Sequence, residues 1–87
     1  MKRAMLDCNI HDYIEVACLY KIEVMLTLKD GNIVKGIPII TITSKEKEEF
    51  LTFRVKSLSE DIDINLLSIK FMEAISYNNY FARISFI

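Results

Sequence analysis

The chain of 87 residues has a single histidine, His11, and that scarcity removes most of the catalytic repertoire. A histidine base needs a positioned nucleophile and a group that orients the ring, and no GxSxG elbow, glycine-rich phosphate loop or HExxH pair accompanies it. The reading is of a protein that is not an enzyme and carries no catalytic residue and no cofactor. Cysteine is almost as rare. Cys8 and Cys18 would stand ~15 Å apart on one helix, beyond disulfide reach. As zinc ligands Cys8, His11 and Cys18 have the wrong spacing and no second pair, so no metal is expected and the thiols read as small packing residues. Only two glycines and one proline, in a chain that is 52% hydrophobic, exclude a disordered tail. No apolar run approaches the ~20 residues of a membrane span. Asp7 interrupts the start too early for a signal peptide, so a cytoplasmic protein without membrane contact is expected.

A basic surplus is also missing. Eleven Lys and Arg against twelve Asp and Glu give a net charge of −1 and a pI near 5.8, which argues against a general nucleic-acid binder. The acids are patchy: Asp7, Asp12 and Glu15 lie in a stretch without Lys or Arg, as do Glu60, Asp61 and Asp63. Patches of one sign suit a basic partner if they share a face.

What is present is strong periodicity. Ile10, Tyr13, Ile14 and Ala17 recur at i, i+3, i+4 and i+7, which predicts a helix over about residues 10–20 with Asn9 or Asp7 as cap. From Lys21 the period becomes 2, with Ile22, Val24, Leu26 and Leu28 on one face of a strand. Asp30-Gly31-Asn32 predicts a hairpin turn, and a β-branched strand over 33–44 follows in which Gly36 and Pro38 mark a bend or bulge. KEKEE at 45–49 reads as a charged hairpin tip and 49–57 as a strand. Residues 61–75 read as one bent or two short strands, 76–79 as a turn and 80–87 as a last strand. Tyr77, Tyr80, Phe81 and Phe86 lack a surrounding basic groove, so they read as packing rather than as a base-stacking platform. No repeat or linker interrupts the pattern. The expectation is a single domain, 1–87, mostly β: an N-terminal helix, then five or six antiparallel strands, over about 21–87, closing into a small barrel or sandwich.

At 100° per residue from Ile10, Asp12, Glu15 and Leu19 fall at about 200°, 140° and 180°, opposite the apolar stripe, with Val16 at about 240°. Two uses of these acids are open: solvation and capping of the helix, or a docking face for a basic partner.

The string Cys8-x3-Asp12-x2-Glu15-x2-Cys18, followed by Leu26-Thr27-Leu28-Lys29-Asp30-Gly31, resembles the Rho-binding antiterminator family (Rof, or YaeO). The likeness covers residues 6 to 31 well. It is looser through the Glu49-Phe50-Leu51 strand and the region from Ile62 to Ile69. It implies an N-terminal helix on an Sm-like β-barrel. It also implies a bacterial protein that binds the termination factor Rho at its primary RNA-binding surface, blocks RNA loading and inhibits termination. Asp12 and Glu15 match the family's helix acids, and the expected partner-binding set is Asn9, His11, Asp12, Glu15, Val16, Leu19, Lys45 and Lys47. Nucleic acid is not an expected direct partner, and the free protein is expected to be monomeric. Ile10 and His11 stand where relatives often carry an acid and a tyrosine, the loop around KEKEE is one residue longer, and YFARISFI has no counterpart. The alternative is an Sm-like RNA-binding module using Lys21, Lys35, Lys45, Lys47 and aromatic residues. A third option is a subunit whose final strand pairs between chains.

Overall fold

The computed structural model describes residues 8–75 and 78–87. Helix α1 spans Cys8–Leu19, close to the expected 10–20. Asn9 therefore sits inside the first turn and does not cap it, and Asp7 lies outside the described residues. Ile14 and Ala17 are fully buried, and Ile10 packs against the core beside them. Tyr13 is more exposed and meets Phe81 edge-on, with ring centroids 6.0 Å apart.

The helix ends in a doubly bonded C-cap. Ile22 N–H donates to the Ala17 carbonyl at 3.0 Å and Lys21 N–H to the Cys18 carbonyl at 3.3 Å. Lys21 takes the left-handed backbone this requires, with φ of +50°. Ile22 and Ala17, buried together, supply the apolar contact that accompanies such a cap. A lysine in this conformation costs ~1–2 kcal/mol, part of which glycine would return as backbone entropy. Lys21→Gly is therefore expected to stabilise the fold by about 0.5–1 kcal/mol, read as a higher urea midpoint at unchanged m-value.

The β elements are β1 (Val24–Leu28), β2 (Ile33–Thr43), β3 (Glu49–Val55), β4 (Glu60–Asn65), β5 (Ile69–Ala74) and β6 (Arg83–Ser85). They form one antiparallel sheet in the order β4-β3-β2-β1-β5-β6. In a flat sheet β4 and β5, four places apart, would be separated by ~19 Å. Yet only Leu66–Ser68 joins them, as a 3-10 turn whose rise is ~2.0 Å per residue. The sheet must roll up, and Lys29 N–H donates to the Ser68 carbonyl at 2.8 Å where it does so. Leu26, Leu51, Phe53, Ile69 and Met72 fill the rolled interior at 0% exposure, together with Ile14 and Ala17 from the helix.

Residues 61–75 thus form two strands, separated because the Asn65 side chain accepts from Leu67 N–H at 2.8 Å and starts the turn. The last strand is shorter than 80–87: the Asn78 side chain accepts from Tyr80 and Phe81 N–H, which holds the chain before Arg83 in a turn. Of the expected turn at 76–79, residues 76 and 77 lie outside the described residues, as does the place of Tyr77. Glu49 belongs to β3, so the charged tip is residues 44–48.

Candidate partner-binding face

Helix α1 lies against β2 because β1 leaves it room. β1 pairs with β2 only from Ile33 to Gly36, whereas β2 runs on to Thr43 and pairs with β3 from Gly36 to Thr43. The register between β2 and β3 shifts between Pro38 and Ile40, a bulge that suits a residue with no N–H to donate. Beyond the bulge Thr41 opposes buried Leu51, while Ile40 and Ile42 point outward at 54% and 42% exposure. Glu15, Cys18 and Leu19 line one open depression with Ile39, Ile40 and Thr41.

Asp12, Glu15 and Leu19 share the exposed helix face expected from the wheel, and Leu19 is 72% exposed. Asn9 is exposed on the first turn. Val16 is half-buried and packs on the core, so it borders the face and does not stand at its centre. His11 is also half-buried, its Nε2 lying 3.0 Å from Glu49 Oε1 at the start of β3. That contact ties the helix to the β2–β3 hairpin, whose tip carries Lys45 and Lys47, both exposed. The tip closes through Ser44: its carbonyl accepts from Lys47 N–H and its hydroxyl from Glu48 N–H.

Among the described residues four acids stand in side-chain pairs, Asp30 and Asp63 accept hydrogen bonds without an ion pair, and the side chains of Asp12, Glu15, Glu46, Glu48 and Glu60 do neither. Glu23 pairs with Lys56 at 2.8 Å, Asp61 with Arg54 at 2.8 Å, Glu73 with Arg83 at 4.0 Å and Glu49 with His11. The Arg54 hydrogen bond holds the Asp61 carboxyl below its usual range. Asp12 and Glu15 have no such partner among the described residues. Their charge faces solvent without an internal counter-charge. Ile40, which shares the depression with Glu15, and Ile42 two residues on were not among the expected contacts. The available signal was the broken alternation Ile39-Ile40-Thr41-Ile42 after Pro38, which puts apolar residues on both strand faces.

Cys18 is a half-buried free thiol. Burial, and then the nearby Glu15 charge, push its pKa up to about 11 against the opposing effect of Lys21. Because the thiolate is the reactive form, native Cys18 is expected to alkylate at pH 8 roughly 100-fold more slowly than an ordinary thiol. Mass spectrometry of iodoacetamide-treated native and unfolded protein measures this. The same shift makes the thiol oppose folding at high pH: the unfolded chain loses its proton first, so stability falls from about pH 9 to about pH 11.

Among the described residues no group of three or more His, Cys, Asp or Glu side chains is placed to hold a metal ion. Nor is any of their helices long and apolar enough to cross a membrane. A family model described as modulator of Rho-dependent transcription termination (ROF) matches residues 5–86, so all but the last residue of the YFARISFI tail has a counterpart in the family, contrary to expectation. Among solved structures the chain is similar to YaeO bound to magnesium from Vibrio cholerae O395, with 33% sequence identity and a TM-score of 0.78, over 87% of this chain and 96% of that one. No curated protein matches the sequence. The family model spans the helix, all six strands and both flanks of the acidic face, so the chain belongs to the Rof family, the non-enzymatic modulators of Rho-dependent transcription termination.

Proposed function

We propose that this chain inhibits termination by docking α1 on the primary RNA-binding surface of Rho and so blocking RNA loading. The supporting observation is that Asp12 and Glu15 lie together on one exposed helix face with no ion-pair partner among the described residues, whereas Glu23, Asp61 and Glu73 face cations within the fold. A surface that holds RNA is basic because it must neutralise phosphates, and it attracts carboxylates for the same reason. Asn9 and Leu19 extend the contact along the helix, and His11 and Val16 border it. Lys45 and Lys47, on the hairpin tied to the helix through His11 and Glu49, reach acidic or polar groups of Rho. The protein acts in the cytoplasm as a monomer.

The test is binding of the purified chain to the Rho of its own organism at low salt, with single-stranded RNA as competitor. Affinity is expected to fall as salt rises, and RNA is expected to displace the chain competitively. The chain alone is expected to show no appreciable affinity for single-stranded RNA at physiological salt, since so balanced a surface neutralises few phosphates. Absence of Rho binding at low salt overturns the proposal. Micromolar RNA binding by the chain itself, with a steep salt slope, turns it towards the Sm-like RNA-binding module.

A further inference from the structure

Helix α1 is held by two kinds of contact. From Tyr13 onward it is fixed to the core and to the segment before β6. Ile14 and Ala17 are buried, Tyr13 meets Phe81, and Tyr20 stacks on Tyr80 with ring centroids 4.8 Å apart. His11, one residue before the exposed Asp12, turns instead to the β2–β3 hairpin, where its Nε2 lies 3.0 Å from Glu49 Oε1. An ionised carboxylate only accepts, so Nε2 carries the proton, and the contact holds with the imidazole neutral or charged. Glu49 opposes Thr43 at the base of the hairpin, and the tip beyond them is closed on itself. Ser44 N–H donates to the Glu48 carbonyl, the Ser44 carbonyl accepts from Lys47 N–H, and Lys47 takes a left-handed φ of +64°. A tip bonded in this way moves with its base, so whatever fixes Glu49 also places Lys45 and Lys47.

Resting on the function proposed above, we infer that His11 is a positioning residue: through its N–H to Glu49 it sets the spacing between the helix acids and the hairpin lysines, and it does not itself touch Rho. Both side chains of the pair are partly exposed, and a polar contact of that kind contributes little to stability. Its use lies in geometry. Asp12 and Glu15 stand on one element, and Lys45 and Lys47 on the tip of another. The far end of the helix borders Ile39, Ile40 and Thr41 through Glu15, Cys18 and Leu19, short of that tip. A partner that engages both elements must first bring them to one spacing, and this ordering weakens the affinity unless the free protein is already so arranged. The His11–Glu49 contact arranges it beside both sets of charges. Asp12 follows His11 directly, and Lys47 lies two residues before Glu49.

The test is a double-mutant cycle on Rho affinity at fixed low salt, with His11→Ala, Glu49→Ala and the two combined. His11→Gln is the rescue, since glutamine carries an N–H donor at a similar reach. The variants keep the fold, with a melting temperature lower by less than about 5 °C, because a partly exposed pair is lost and nothing is cut from the core. Glu49→Thr takes the place of Glu49→Ala if the latter unfolds, because threonine suits a strand and removes the carboxylate. The expected result is about fivefold weaker binding for either single change, no further loss in the double variant, and recovery to within about twofold of wild type by glutamine. In the free chain both alanine variants should speed hydrogen exchange at Ser44 and Lys47 N–H in the tip and leave Ile22 N–H at the helix end unchanged. A loss on His11→Ala that persists in the Glu49→Ala background overturns the inference and makes His11 a direct contact of Rho. Wild-type affinity in every variant overturns it, whatever the exchange shows, and leaves Rho binding by the helix acids in place. Failure of wild type to bind Rho overturns the inference together with the function it rests on.

Discussion

Alanine at Gly36 is expected to lower the stability of the fold by about 3 kcal/mol, at the upper end of the usual cost of overpacking a closed site. A Cβ at Gly36 would collide with the Arg54 carbonyl oxygen and lie 2.9 Å from both the Arg54 carbonyl carbon and the Phe53 ring. Two of the three obstacles are backbone, and Phe53 is fully buried. Gly36 is also paired on both sides, with Val24 of β1 and Val55 of β3, so β2 has no free edge along which to retreat. The position is one of close backbone approach, the use of a strand glycine that no side chain can replace. For a domain of this size the loss corresponds to roughly 12–24 °C in melting temperature. Gly31→Ala is the control. Its backbone is left-handed, with φ of +96°, but nothing lies within 4 Å of an added Cβ, so strain alone costs ~1–2 kcal/mol. Urea midpoints of the two variants measure the difference, and a smaller loss at Gly36 than at Gly31 contradicts the close approach.

The double change Asp12→Asn/Glu15→Gln is expected to weaken Rho binding at least tenfold and to leave folding almost untouched. Both side chains are exposed and neither has a partner among the described residues, so the fold loses only a few tenths of a kcal/mol. Binding loses more, because a close charge pair across an interface can contribute ~1.5–7 kcal/mol and a tenfold change needs only ~1.4 kcal/mol. The amide forms keep the shape of the acids, so the loss reports charge. Titration of Rho at fixed low salt, with circular dichroism of the variant as a check on folding, decides the matter. Equal binding by wild type and folded variant removes the helix acids from the mechanism.

Much of this architecture was legible from local pattern. A helix buries the face repeated every 3.6 residues, so Ile14 and Ala17 could be placed inside and Asp12, Glu15 and Leu19 outside from spacing alone. Alternation foretold β1, and the turn at Asp30 follows from residue chemistry: the Asp30 carboxylate accepts from Asn32 N–H at 2.9 Å, and Gly31 takes the positive φ. Such features depend on neighbours a few residues away, which the sequence displays directly. Pro38 and Gly36 announced an irregular strand for the same reason, since one lacks a donor and the other a Cβ.

Which charges are free could not be read this way. His11 looked like one more polar residue on the helix, yet it is held by Glu49, 38 residues further on. Lys56 and Glu23, or Arg54 and Asp61, likewise meet only because the strands that carry them pair or roll together. Val16 was placed outside by the wheel but is half-covered by the sheet. The sequence by itself determined the helix, its acids, the strands and the main turns, because these arise from local backbone preference and from the period of apolar residues. Tertiary structure alone decided the register shift at Ile40, the stretch of β2 that β1 leaves to the helix and the pairing of Glu23, Glu49, Asp61 and Glu73, because each depends on contacts between segments that only the rolled sheet brings together.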